Sequence, residues 1–421
     1  KNYLSGKETT MYSRAFYGDR KINISFPDTW EISVLAPEPK SALSNAQRQA
    51  ALDQPIGSPP ISKLAQGKQS VAIIVDDLSR PTPIKELLPA VLNELLAAGV
   101  TNEKIKIVIG TGSHRPLACD EIALKIGSDI AENFQVKNHD FMGGDLRGMG
   151  NLEDGTPIFI DPVVANSELK ICIGGVYPHG AVGFGGGSKL ILPGVSGFAT
   201  IFCFHTFYPG RGQGNVENQS SQRDGRDVSE EAAKLIGLDF VVNAVVNHKR
   251  EVAGLFAGNF IAAQRQAAEF ARKAYGTKIP RKIRQEADLL ILNCYPLDSD
   301  PIQTGKALWP RQYFDRAYTV AINPACDGIA YHGLYDRINY DRFLENRKSQ
   351  PPDEERPARI GKLNQTLVWS EHFGSNDFYQ RHPEDILFRN WDELIGQLAG
   401  KLPKDAKVAV FPFSSIQLLV D

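Results

Sequence analysis

Short β-branched runs separated by helical patterns constrain this chain more than any other feature. Residues 71–75, 105–109 and 169–173 are apolar stretches too short for helices. From Ile84 to Ala98, Leu87, Leu88, Val91, Leu92, Leu95 and Leu96 recur at i, i+3, i+4 spacing, one face of an amphipathic helix. A wholly apolar strand, a helix and another strand read as a βαβ unit, and such units build parallel sheets covered on both faces. Residues 120–125, 230–236 and 261–275 read as further helices. After a polar, basic stretch at 278–286 the alternation restarts, with strands at 289–293, 319–323 and 407–411 and a helix at 392–400.

The expectation is an α/β protein of two α/β domains with mainly parallel sheets, and a length of 421 residues suits more than one domain. Residues 1–278 are expected to form the first domain and 287–421 the second, with the last residues packing back on the first. The ten residues before Met11 are set aside as an added or extended segment. Residues 341–359, charged and proline-containing, are expected as a surface excursion.

Charge and cysteines exclude several function classes. With 47 basic and 49 acidic residues the formal net charge is −2, so no net field draws nucleic acid or an anionic membrane. Cys119, Cys172, Cys203, Cys294 and Cys326 form no CxxC pair and are odd in number, which fits a reduced setting better than a disulfide framework. No apolar segment approaches the roughly 18 residues that span a bilayer, and no signal-peptide pattern stands at the start. A cytoplasmic setting, with neither nucleic acid nor membrane as partner, is the expectation.

The unusual residues all follow predicted strands. Residues 71–75 lead into Asp76-Asp77-Leu78-Ser79-Arg80-Pro81-Thr82-Pro83, and 105–109 into Gly110-Thr111-Gly112-Ser113-His114-Arg115-Pro116. Residues 169–173 lead into Gly174-Gly175-Val176-Tyr177-Pro178-His179, and 289–293 into Cys294-Tyr295-Pro296 and then Asp298 to Lys306. In open parallel sheets ligands bind outside the carboxyl ends of the strands, so four such loops point to one shared site. Each also has a plainer reading. Asp76 and Asp77 suit a helix N-cap before Pro81 or Pro83, and Ser113 or His114 suits a capped turn.

The stretch Gly183-Phe184-Gly185-Gly186-Gly187-Ser188-Lys189 is more pointed. Glycines let backbone N–H groups approach an anion, and lysine adds charge. It is not a P-loop, because Ser188 precedes Lys189 and Leu190 follows it. His179 lies ten residues before Lys189 and His205 sixteen after it, as if the loop were built around a ligand. His114, His179 and His205 could bind Zn, Ni, Cu or Fe as imidazoles, though none is spaced as a helical HExxH pair. His139, His248, His332, His372 and His382 read as ordinary surface or core residues.

In this order, with closely similar separations from Asp76 to Lys306, these motifs resemble the lactate racemase family, nickel-pincer-nucleotide-dependent 2-hydroxyacid racemases and epimerases. The matching segments include Leu192-Pro193-Gly194, and Gln303 with Lys306. The resemblance implies two α/β domains with the active site in the cleft between them. It implies a nickel-pincer nucleotide (pyridinium-3,5-bisthiocarboxylic acid mononucleotide with Ni) covalently linked through Lys189, with His205 as nickel ligand. His114 and His179 resemble the paired catalytic acid/base histidines, and Asp77 a cofactor-binding residue. Arg80, Gln303 and Lys306 resemble the groups that hold the substrate carboxylate, and Trp369 an aromatic near the site.

The activity so implied is inversion of C2 in a 2-hydroxyacid by reversible hydride transfer through a 2-oxoacid. The substrate would be lactate-like, a larger 2-hydroxyacid or a sugar acid. Implied partners are that small molecule and cofactor-maturation enzymes, for a monomer or homodimer. Two departures stand out. Glycine follows Phe184 where the family more often has serine, and Asp300-Pro301-Ile302 before Gln303 lacks a tyrosine seen in some lactate-specific members. A zinc- or iron-dependent lyase or hydrolase using the three histidines, and a non-catalytic hydroxyacid- or nucleotide-binding homologue, remain alternatives.

Overall fold

The computed structural model describes residues 7–15, 18–314, 316–329, 360–361 and 363–420. The chain divides into two compact units, Pro39–Ala274 on one hand, and on the other the described residues up to Glu38 together with those from Tyr275 onward.

The Pro39–Ala274 unit is built on a six-stranded sheet. In spatial order its strands are Gln135–Asn138, Ile105–Gly110, Val71–Asp76, Leu169–Gly175, Phe240–Val246 and Val252–Gly258. All pair in parallel except the last two, which form an antiparallel pair. Counted along the chain the order is 3-2-1-4-5-6, the doubly wound arrangement. Its switch point lies between Val71–Asp76 and Leu169–Gly175, whose carboxyl ends run into the loops singled out above.

Alternation explains why these strands are apolar throughout. Val71, Ile73 and Val75 pack into a core with Leu87, Leu88, Val91, Leu92 and Leu95 of the Ile84–Ala97 helix. Ala72 and Ile74 point to the other face and a second core, with Cys172, Ile191 and Leu192. A strand covered on both sides has no polar face to present.

The second unit carries another six-stranded sheet, entirely parallel. Its order is Ile386–Phe388, Thr366–Trp369, Tyr318–Ile322, Leu289–Asn293, Lys407–Phe411 and Glu31–Val34. A long antiparallel hairpin of Lys7–Ala15 and Gly18–Phe26 precedes the edge strand. Met11, Ile24, Phe26 and Trp30 share one core with Leu289, Ile291 and Trp391. Both units are therefore mainly parallel α/β, the expected fold class.

The division differs from the expected one in four ways. Residues before Glu38 do not belong with the first large stretch, because Glu31–Val34 completes the sheet edge beside Lys407–Phe411. The segment set aside before Met11 is structural from Lys7 on, since Lys7 to Thr10 pair with Asn23 to Phe26. The break falls at Ala274, not within 278–286, where Arg281–Glu286 forms a short helix. The closing strand Leu418–Leu419 pairs with Gly276–Thr277 and stays in the second unit. The expected excursion at 341–359 lies outside the described residues.

Candidate active site

Six of the singled-out residues, Asp77, Arg80, His114, His179, Lys189 and His205, lie in the Pro39–Ala274 unit, most of them beyond strand carboxyl ends. The loop after Val71–Asp76 is not a helix cap. The Ile84–Ala97 helix starts at Pro83 with no side-chain cap, and both aspartates turn inward. Asp76 ties loops together: Oδ2 accepts the Thr82 hydroxyl at 2.5 Å and the Gly175 N–H at 2.9 Å, while Oδ1 lies 2.7 Å from Lys125 Nζ. Lys125 also donates to the carbonyls of Arg80 and Thr82, each at 3.1 Å. Burial lowers the Lys125 amine, with Asp76 holding it up. From the sequence Asp76 had a helix N-cap reading and Lys125 none; a lysine one turn after Ile122 and next to Ile126, in line with apolar residues of the Cys119–Ile126 helix, was the available signal.

Asp77 faces the other loop. Its Oδ2 lies 2.5 Å from His114 Nδ1, and its Oδ1 accepts the Ser79 N–H at 3.0 Å. Burial by itself would raise this carboxyl, but His114, Arg80 and the Ser79 hydroxyl outweigh it and hold it well below the usual carboxylate range. Arg80 donates to Ser79 Oγ at 2.8 Å, and that hydroxyl lies 3.1 Å from His114 Nδ1. Asp77 thus engages His114 through contacts within its own unit.

The histidines are held in different tautomers. With Nδ1 against a carboxylate, neutral His114 carries its proton there and its lone pair on Nε2. His179 Nδ1 instead accepts the Ala181 N–H at 3.2 Å, which places the proton of the neutral ring on Nε2. His205 lies in the last turn of the Phe198–Phe207 helix with Nδ1 donating to the Ile201 carbonyl at 3.1 Å, so neutral His205 carries its Nε2 lone pair as a metal ligand must. His139 is a core residue, with Asp161 on one nitrogen and the Ser196 carbonyl on the other.

Lys189 leaves a short turn, Gly187–Leu190, that follows the glycine stretch. The N–H groups of Gly185 and Gly187 are already taken, by the Tyr177 carbonyl at 2.7 Å and Asn243 Oδ1 at 2.9 Å. The turn is therefore an internally bonded support rather than a phosphate cradle. Desolvation, then the charges of Arg80 and Arg226, pull the Lys189 amine down to about 7, with Asp77 acting the other way. An amine near 7 is about half neutral at neutral pH and can form a covalent bond to an electrophile.

The other three residues lie in the second unit. Gln303 closes the Pro301–Gln303 turn after Asp300 and is buried, its Oε1 without a hydrogen-bond partner among the described residues. Lys306 follows in Thr304–Ala307. Trp369 ends its strand, packed on Trp391 with ring centroids 5.3 Å apart. Among the described residues no three His, Cys, Asp or Glu side chains gather as a protein-only metal site. A metal on His205 would need ligands from elsewhere, which a sulfur-bearing nucleotide provides, so His205 and the half-neutral Lys189 fit such a group.

Known proteins match this chain over most of its length. Residues 17–213 match the model of the lactate racemase N-terminal domain. A lactate racemase from Lactiplantibacillus plantarum is 28% identical over 381 residues, covering 86% of this chain and 88% of that one. A second, from Thermoanaerobacterium thermosaccharolyticum, is 30% identical over 332 residues, covering 76% of each chain.

The chain belongs to the lactate racemase family. It is accordingly an enzyme of the isomerase class. The fold agrees: the apoprotein structure of the Thermoanaerobacterium lactate racemase superposes with a TM-score of 0.72 at 24% identity, over 98% of this chain and 100% of that one. A Thermotoga maritima protein shares the fold with a TM-score of 0.59 at 16% identity, over 91% of this chain and 100% of that one. As a lactate racemase family member it has no described helix long and apolar enough to cross a membrane.

Proposed function

We propose that this enzyme inverts the C2 centre of a 2-hydroxyacid, with lactate the first candidate, using a nickel-pincer nucleotide linked through Lys189 and completed by His205. The observation that carries this reading is the contrasting engagement of the two Nδ1 atoms, His114 by the Asp77 carboxylate and His179 by the Ala181 N–H. Neutral His114 presents a proton acceptor at Nε2, and His179, when protonated, presents a proton donor at Nε2. Taking the hydroxyl proton on one face and returning it on the other needs one group of each kind.

A 2-hydroxyacid C–H is weakly acidic, so inversion through a carbanion is costly. The chemistry a nickel-pincer nucleotide supplies when bound is reversible acceptance of that hydrogen as hydride, leaving a 2-oxoacid. Arg80 is assigned to the substrate carboxylate by its bidentate fork, with Lys306 as a second cation and Gln303 as a hydrogen-bonding partner. Trp369 is assigned to the apolar side of the substrate. Asp77 keeps His114 in the accepting form. His205 is held with Nε2 ready for the metal, and Lys189 offers a neutral amine for attachment. The missing tyrosine before Gln303 keeps larger 2-hydroxyacids and sugar acids within the substrate class.

The test is to produce the chain with the cofactor-maturation enzymes and incubate it with single-enantiomer 2-hydroxyacids in heavy water. Optical purity should fall with no deuterium entering C2, and the Lys189 peptide should carry added mass. Deuterium at C2 would exclude hydride transfer, and binding without turnover in cofactor-loaded protein would favour a non-catalytic homologue.

A further inference from the structure

The Gly225–Ile236 helix opens with an arginine that has no exposed surface, Arg226. Among the described residues its guanidinium meets no carboxylate oxygen. Its Nε lies 3.4 Å from the Val182 carbonyl, and one terminal nitrogen lies 3.1 Å from both the Gly186 carbonyl and Ser188 Oγ. The other terminal nitrogen donates to the carbonyls of Phe184 and Gly185. The nearby acids are engaged elsewhere. Asp224 takes Arg211 at 2.7 Å and caps the helix, and Glu230 takes Arg265 at 2.7 Å.

A buried charge without a direct ion-pair contact must be solvated largely by dipoles, with Glu230 and Asp224 adding attraction at longer range. Here the dipoles are carbonyls of one short loop, the loop that ends in Lys189. Aiming successive carbonyls at one point requires backbone that most residues avoid. Gly183, Gly186 and Gly187 have φ of +71°, +73° and +59°. A Cβ on Gly186 would stand 2.7 Å from both Asn243 Oδ1 and Val176 Cγ2, and one on Gly183 would stand 1.9 Å from the Asn215 carbonyl. Only a planar five-donor fork can hold so many oxygens at once, since a lysine has its three donors on one atom.

We propose that Arg226 is a positioning residue whose guanidinium gathers the carbonyls of Val182, Phe184, Gly185 and Gly186 into the turn that presents Lys189. The same charge acts on the amine. Arg226 and Arg80 both disfavour a charged Lys189, while Asp77 favours it. Desolvation lowers Arg226 itself, to about 9, which leaves it cationic at neutral pH. The importance of Lys189 rests on the proposed function, but the geometry around Arg226 does not.

The test uses the full chain made without the maturation enzymes. Acetylation of Lys189 by acetic anhydride is followed against pH by peptide mass, and hydrogen exchange is read at the Phe184, Gly185 and Gly187 amides. In the unsubstituted chain the labelling midpoint should lie near 7. Arg226→Met should raise it by about one unit and speed exchange at the three amides about tenfold, with the Gly225–Ile236 helix still protected. Arg226→Lys retains charge but cannot span the carbonyls, so exchange should speed up while the midpoint stays low. Wild-type exchange in Arg226→Lys would overturn the proposal, and that comparison decides alone if Arg226→Met does not fold. Absence of added mass on Lys189 in chain made with the maturation enzymes would instead overturn the attachment reading and leave the role of Arg226 standing.

Discussion

Asp77 Oδ2 and His114 Nδ1 stand 2.5 Å apart, across two loops that leave neighbouring parallel strands. The carboxylate is buried and the ring partly accessible, so the acid serves the histidine rather than solvent. This arrangement decides which nitrogen of the neutral ring can take a proton, and under the proposed function it makes Asp77 a positioning residue for acid/base chemistry.

Replacing Asp77 with Asn should expose that role. The amide can donate to Nδ1, which would move the ring proton to Nε2 and remove the acceptor. We expect kcat to fall about a hundredfold or more in cofactor-loaded protein, with KM changed little. A fall of less than about tenfold, in folded protein, would show that the tautomer is immaterial. The same variant tests stability. The Asp77 carboxyl is held below its ordinary range, so its contribution is complete above the unfolded value near 3.9 and is lost as pH falls below it. Denaturant midpoints of Asp77→Asn should therefore show a shallower acid dependence than those of the parent.

Lys189 makes a prediction of opposite sign. Its amine is lowered from 10.5 to about 7, so between those values the unfolded chain binds more protons than the folded one. Stability must then rise with pH across that window, and below about 7 the folded state carries the full cost of a charged, buried amine. Lys189→Met should be relatively more stable near pH 6 and lose this rise. Urea unfolding of cofactor-free protein at pH 6, 7, 8 and 9 measures it, and parallel curves for the two chains would contradict the lowered amine.

His205→Ala separates metal binding from attachment. Elemental analysis of protein made with the maturation enzymes should give nickel well below one per chain, while intact mass still shows the adduct on Lys189. Full nickel content in this variant would remove His205 from the ligand set.

Lys125 should matter for stability and for substrate binding together. Lys125→Met strands the Asp76 carboxylate and two carbonyls, a loss of about 3 kcal/mol in urea unfolding. Because one of those carbonyls belongs to Arg80, KM should rise more than kcat falls. Adding Asp76→Asn should cost far less than its own single effect, and simple additivity of the two would show that they do not act as a pair.

Much of the candidate site was legible because its residues follow continuous apolar runs that read as strands. Asp77, Arg80, His114 and His179 were found from strand-end position and residue type, and Lys189 and His205 from their spacing around a glycine-rich loop. The resemblance gave them roles, and only coordinates showed that Asp77 faces His114. Arg226 was invisible, since nothing in Asp224-Gly225-Arg226-Asp227 says that its guanidinium is buried against carbonyls some 40 residues earlier.

The sequence alone determined the local states. Continuous Val and Ile runs specify strands covered on both faces, and a Leu face at 3.6-residue period specifies the helix between them, because both depend only on near neighbours. Tertiary structure decided the rest: that Glu31–Val34 joins a sheet whose other strands begin more than 250 residues later, that two histidines hold different tautomers, and that one arginine gathers a loop. Those outcomes depend on contacts between distant segments, and local patterning carries no record of which distant partner a strand edge or a polar side chain will meet.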